Sequence, residues 1–122
     1  MSNLVDIATR PLMDLWGEAV KARRIEGERI TFALVELAPD SVVPEHRHEN
    51  EQLGMVITGS VVFTIGDETR ELAPGGTWRI PSDVPHGVTT GPDGAVVIDV
   101  FAPTRRDWDA VPAHDGVTPI WP

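Results

Sequence analysis

Eleven prolines and eleven glycines are distributed along the whole of this 122-residue chain, not pooled in one linker. That distribution constrains the fold more than any other feature. Proline removes a backbone donor and glycine weakens regular structure, so only short uninterrupted segments remain between them. Those segments are rich in β-branched and aromatic residues and favour the antiparallel strands of a sandwich or barrel. Strands are expected over Arg29 to Leu37, Gln52 to Thr58, Ser60 to Ile65, Thr69 to Leu72, Thr77 to Ile80, His86 to Thr90 and Ala95 to Phe101, with Val42 to Arg47 leading into a histidine pair. Gly59 predicts a tight turn and Gly66-Asp67-Glu68 a hairpin. Further turns are expected at Ala38-Pro39-Asp40-Ser41, Pro74-Gly75-Gly76 and Gly91-Pro92-Asp93-Gly94.

Two stretches stand apart from this rhythm. Leu12, Leu15 and Trp16, with Asp14 and Glu18 between them, predict a helical turn or two within Pro11 to Val20, its apolar face covering a barrel end. The proline-rich residues Pro112 to Pro122 are expected to wrap the surface or cover a neighbouring subunit. The length fits one domain over residues 1–122, with a barrel core over about 19–102 and both terminal arms outside it.

Composition removes several function classes. At 41% hydrophobic residues the chain can build a core, which argues against wholesale disorder. The absence of cysteine excludes disulfides, Fe–S clusters, thiolate zinc sites and a cysteine nucleophile, so any metal must be held by nitrogen and oxygen. A formal net charge of −9 argues against nucleic acid or an anionic membrane as partner. The N-terminus lacks a signal pattern and no apolar run approaches a membrane span, so a soluble cytoplasmic protein is expected.

Three of the four histidines can build a site. His46 and His48 are two residues apart, so on a strand their imidazoles share one face. Gln52 can reach the same cavity from the next strand, and His86, in Ile80-Pro81-Ser82-Asp83-Val84-Pro85-His86-Gly87, closes the constellation. Imidazole nitrogens and an amide oxygen suit a borderline divalent ion, although buried histidines can also be satisfied by hydrogen bonds alone. Glu51 is a rival for the place of Gln52, but strand alternation turns it to the opposite face unless a bulge intervenes. Arg47 should point to solvent, and His114, in a turn-like segment, reads as a surface histidine.

Two motifs carry a family resemblance. His46-X-His48-X3-Gln52-X6-Gly59 resembles the first motif of the cupin superfamily, with Gln where the commoner form has Glu. Gly75-X5-Pro81-X-Asp83-X2-His86 resembles the second, with Asp83 where glycine is usual and Thr90 where asparagine often follows. The resemblance implies an all-β cupin barrel (a double-stranded β-helix, or jelly roll) with a short N-terminal arm. It also implies one divalent metal ion, Zn, Ni, Mn or Fe, held by His46, His48, Gln52 and His86. Small single-domain cupins of this kind commonly cover an apolar sheet face with a second copy, which makes a homodimer the expectation.

A narrower likeness begins at Asp99. The run Ile98-Asp99-Val100-Phe101-Ala102-Pro103-Thr104-Arg105-Arg106-Asp107-Trp108 resembles the end of the barrel in pectin-degradation-type small cupins, where an Asp, a Phe and an Arg at the positions of Asp99, Phe101 and Arg105 line the pocket. That family's activity is the linearisation of cyclic 4,5-unsaturated uronates, which implies catalytic roles for Asp99 and Arg105. The residues allow such chemistry. Asp99 can move protons. Arg105 can hold the carboxylate of a small anionic substrate. Phe101, and Trp78 if it faces the ion, can wall a ring. Asp99 paired with Arg79, Arg105 or Arg106 as a salt bridge is the purely structural alternative. The leading expectation is a metal-dependent isomerase or ring-opening enzyme for a small sugar acid or carbonyl compound. An iron-dependent dioxygenase or decarboxylase, a polyketide-type cyclase and a non-catalytic small-molecule binder are its competitors.

Overall fold

The computed structural model describes residues 2–122. Nine strands make up the domain: β1 (Leu12–Trp16), β2 (Val20–Glu26), β3 (Thr31–Leu37), β4 (Val42–His46), β5 (Glu51–Ile65), β6 (Glu68–Leu72), β7 (Thr77–Ile80), β8 (His86–Ala102) and β9 (Ala113–His114). Two short 3-10 turns, Ile7–Thr9 and Arg106–Ala110, complete the regular structure, and the described residues form no α-helix.

Every strand pair is antiparallel, in the order β6-β5-β8-β3-β2-β1-β9, with β4 beside β8 and β7 beside β5. The two long strands serve in both faces of the barrel. The first half of β5 pairs with β7 and with the second half of β8, which continues into β3. The second half of β5 pairs with β6 and with the first half of β8, whose other edge takes β4. The core between the faces draws on both, with Ala22, Val35, Val56 and Val97 meeting Val43, Val61, Phe63 and Leu72.

Three expectations need correction. Pro11 to Val20 is not helical: Leu12 to Trp16 form β1. Pro11 and Gly17 leave too few residues for a stable helix, while both edges of β1 find partners in β2 and β9. Gly59 is not the tip of a hairpin but part of a register shift within the single strand β5. Gly91 to Gly94 likewise does not interrupt β8. These two bends cross: a Cβ on Gly59, at φ +77°, would lie 2.2 Å from the Gly94 carbonyl oxygen, so glycine is required where the strands fold over. Strand β2 was not anticipated. The hairpin at Gly66-Asp67 and the span of β7 match expectation.

The C-terminal arm stays on its own barrel. Arg23, only 1% exposed, is the anchor. Its Nε donates to the Arg10 carbonyl (3.1 Å), its Nη1 to Glu36 Oε2 (3.1 Å) and its Nη2 to the Val117 carbonyl (2.5 Å). One guanidinium therefore ties both terminal arms to the outer face of β2 and β3.

Candidate metal centre and cavity

His46 ends β4 and lies opposite His86, the first residue of β8. His48 lies beyond the end of β4, in the connection to β5, so the pair does not share one strand as anticipated. The three nevertheless converge, and one ligand atom from each lies within 4.8 Å of the others. The connection is fixed by Asn50, a buried residue for which the sequence offered no signal. Its Nδ2 donates to the Pro103 carbonyl (2.6 Å), and its own carbonyl meets His48 Nδ1 (2.9 Å).

The same device orients all three rings. His46 Nδ1 lies 2.9 Å from the Pro44 carbonyl, His48 Nδ1 2.9 Å from the Asn50 carbonyl and His86 Nδ1 2.9 Å from the Val84 carbonyl. A carbonyl can only accept, so each Nδ1 carries the proton and each Nε2 is left with a free lone pair. Burial pushes His86 down to about 4 and also lowers His48, which keeps both rings neutral. His86 Nε2 is buried with no hydrogen-bond partner. An orphaned imidazole lone pair beside two others fits a metal ion, and this cluster of three histidines could hold one.

Gln52 stands at the edge of the cluster. Its Oε1 is 3.1 Å from His48 Nε2, and its Nε2 donates to Asp99 Oδ1 at 2.9 Å. In the tautomer set by Asn50, the first contact brings two lone pairs together. A cation shared between them would make that contact favourable. Glu51, the rival, is exposed on the opposite face, paired across from Ala102.

Asp99 is 7% exposed and lines the cavity. Its Oδ1 accepts from Gln52 Nε2 and from Trp78 Nε1 (2.8 Å). Burial pushes its carboxyl up to about 6, against the opposing pull of these two donors and of Arg105. The ion pairs that were the structural alternative for Asp99 are not formed among the described residues.

Trp78, anticipated as a substrate contact, does not line the cavity. Across the sheet Trp78, Gly54 and Asp99 are register partners on β7, β5 and β8. The indole lies over Gly54, where a Cβ would sit 2.2 Å from the ring, and so reaches Asp99 across it on the same face of the sheet. Its other face packs on Phe63, with centroids 4.5 Å apart.

Phe101 and Arg105 do line the cavity. The Arg105 guanidinium lies 4.7 Å from the Phe101 ring centre and 4.6 Å from that of Trp108. Asp107 holds it through two bonds, Nε to Oδ1 (3.0 Å) and Nη2 to Oδ2 (2.9 Å). Sequence reasoning missed Asp107 and Trp108. It also misplaced Trp16, whose half-exposed ring stands 5.4 Å from that of His46 at the cavity mouth. The cavity has a volume of about 260 Å³ and is open to solvent at its mouth.

Residues 33–101 match the family model described as Cupin domain. The pectin degradation protein KdgF of Dickeya dadantii (strain 3937) is 29% identical over 94 residues, which is 75% of this chain and 86% of that protein. The H2HPP isomerase of Bacillus subtilis is 36% identical over 64 residues, 51% of this chain, and the matched part is 27% of that protein. The solved structure of KdgF from Halomonas sp. superposes with a TM-score of 0.79 at 23% identity, covering 88% of this chain and 98% of that one. At that identity the likeness establishes a shared fold.

Proposed function

The chain belongs to the cupin family, and on that footing we propose that it is a metal-dependent isomerase or ring-opening enzyme for a small anionic carbonyl compound or sugar acid. The observation that carries this reading is the position of Asp99, a buried carboxyl that faces the cavity beside the three-histidine cluster. The pectin degradation protein and the isomerase named above support the same class of chemistry.

His46, His48 and His86 would hold the ion through Nε2, and Gln52 through Oε1. A bound divalent ion supplies a Lewis acid that draws charge onto a substrate oxygen. The protein's own groups do the rest. Asp99 takes a proton from a carbon beside the carbonyl and returns it to a different atom of the same molecule, so no atom is gained or lost. Two donors on Oδ1 fix the carboxylate and leave Oδ2 for the proton. Arg105 meets the substrate carboxylate, and its place between two aromatic rings restricts where that carboxylate sits. Phe101 walls the site against water.

The test is turnover of a panel of unsaturated uronates and cyclic ketones by protein stripped of metal, then reloaded with zinc, nickel, manganese or iron. Activity restored by metal and lost in Asp99→Ala, with metal content unchanged, is the expected result. Turnover that survives in Asp99→Ala would remove Asp99 from the chemistry.

A further inference from the structure

The cavity wall discriminates between the two substrate classes named above. Apart from the metal-centre groups, Asp99, Arg105, Asp107 and the indole N–H groups of Trp16 and Trp108, its lining is apolar and includes no serine, threonine, asparagine or tyrosine among the described residues. Val35, Phe63, Val88 and Val97 form its interior. Their main chains offer little either, because each residue is paired on both edges. Val35 lies between Ala22 and Val97, Val97 between Val35 and Val56, Phe63 between Arg70 and Val88, and Val88 between Val43 and Phe63. A hydroxyl placed against this wall finds no donor or acceptor, and each such hydroxyl weighs against binding.

We infer that the site takes an anionic carbonyl compound whose body is an apolar ring, in preference to a polyhydroxylated sugar acid. The inference rests on the reading of this cavity as the substrate site. Polar groups gather at one side, where His46, His48, His86, Gln52, Asp99 and Arg105 meet the charged head. Trp16, Phe101 and Trp108 line the cavity beside the remainder of the molecule. The small volume of this half-open cavity suits one ring with a short head group.

The decisive comparison uses two probes that each carry a carboxylate beside a carbon at the ketone oxidation level but differ in body, benzoylformate with an aromatic ring and 2-ketogluconate with a hydroxylated, ring-closing chain. Their dissociation constants are measured by calorimetry on the whole protein loaded with zinc and, separately, with manganese. Benzoylformate is expected to bind at least about tenfold more tightly. In Val88→Thr, which adds one hydroxyl to the wall at nearly constant shape, that ratio should shrink about threefold with metal content unchanged. Equal or tighter binding of 2-ketogluconate overturns the inference, as does binding of neither probe. Should the ratio hold while no ring compound is turned over, the ligand class stands and the enzymatic reading falls.

Discussion

A single amide joins the three-histidine cluster to the carboxyl beside it: Gln52 donates through Nε2 to Asp99 Oδ1 at 2.9 Å, and its Oε1 lies 3.1 Å from His48 Nε2. Asp99 is thereby oriented by a group that also faces the histidines. A glutamate at this position would supply a charged ligand but no donor to Asp99.

Gln52→Glu should therefore separate the two roles. Metal affinity is expected to rise or hold, because an anionic oxygen replaces a neutral one. Turnover should fall at least about tenfold, and its acid limb should move to higher pH as two carboxyls confront each other. Metal titration together with kcat/KM against pH measures both. An unchanged pH profile would mean that the amide does not position Asp99.

Trp78 reaches Asp99 only because residue 54 has no side chain. Gly54→Ala is expected to displace the indole and destabilise the fold by about 1–3 kcal/mol. Trp78→Phe should cost a similar amount, about 1–3 kcal/mol, through the lost donor to a buried carboxyl. Urea denaturation measures both. A Trp78→Phe variant as stable and as active as the parent would reduce the indole to packing.

Asp107 competes with an anionic substrate for Arg105. Asp107→Asn should lower KM for such a substrate several-fold with little change in kcat. The Arg105 guanidinium holds the Asp107 carboxyl below its ordinary value of 3.8. A carboxyl depressed on folding adds stability above its unfolded value and loses it as pH falls through the depressed one. The parent should consequently lose stability below about pH 4 more steeply than Asp107→Asn does. Denaturant melts between pH 5 and 2.5 read the difference.

Arg23 is buried with Glu36 and secures both terminal arms. Arg23→Ala should destabilise the protein by about 3–5 kcal/mol, since Glu36 is left without its partner. The segment around Val117 should also become susceptible to proteolysis. Thermal melts and limited digestion followed by mass spectrometry check the two effects.

The outer face of the β3-β8-β5 sheet carries two apolar rows, Phe32-Val100-Leu53 and Leu34-Ile98-Met55. Phe32, Leu53 and Met55 are exposed at 37%, 49% and 38%. A second copy seated there would cover them. Sedimentation should give a dimer for the parent and a monomer for Leu53→Lys; a monomeric parent would leave the face without a partner of its own kind.

What was legible in the sequence follows a physical division. Turns made by Gly and Pro announced the strand pattern, and β7 and the Gly66-Asp67 hairpin lie where local chemistry put them. The histidines were legible because they fall within two motifs that occur in order, with glycine turns between them; a lone His-X-His arises often by chance. Long-range decisions were not legible. Leu12, Leu15 and Trp16 satisfy a helical period, and only the partners on either side of β1 make them a strand. Gly59 resembles a turn until Gly94 is seen crossing it. Trp78 could be placed only by knowing that its register partners are Gly54 and Asp99. Asp107 and Asn50 are ordinary polar residues in sequence, and their importance arises from what the fold sets beside them.

The folding over of β5 and β8 has a consequence for how the domain responds to its ligand. His46 and His86 ride on the half of the barrel that contains β4, whereas Gln52 opens the other half beside β7. An ion gripped by all of them would work as a hasp between the two halves. Loading the centre would stiffen the mouth through which a substrate enters, and the emptied barrel would gape along that seam first.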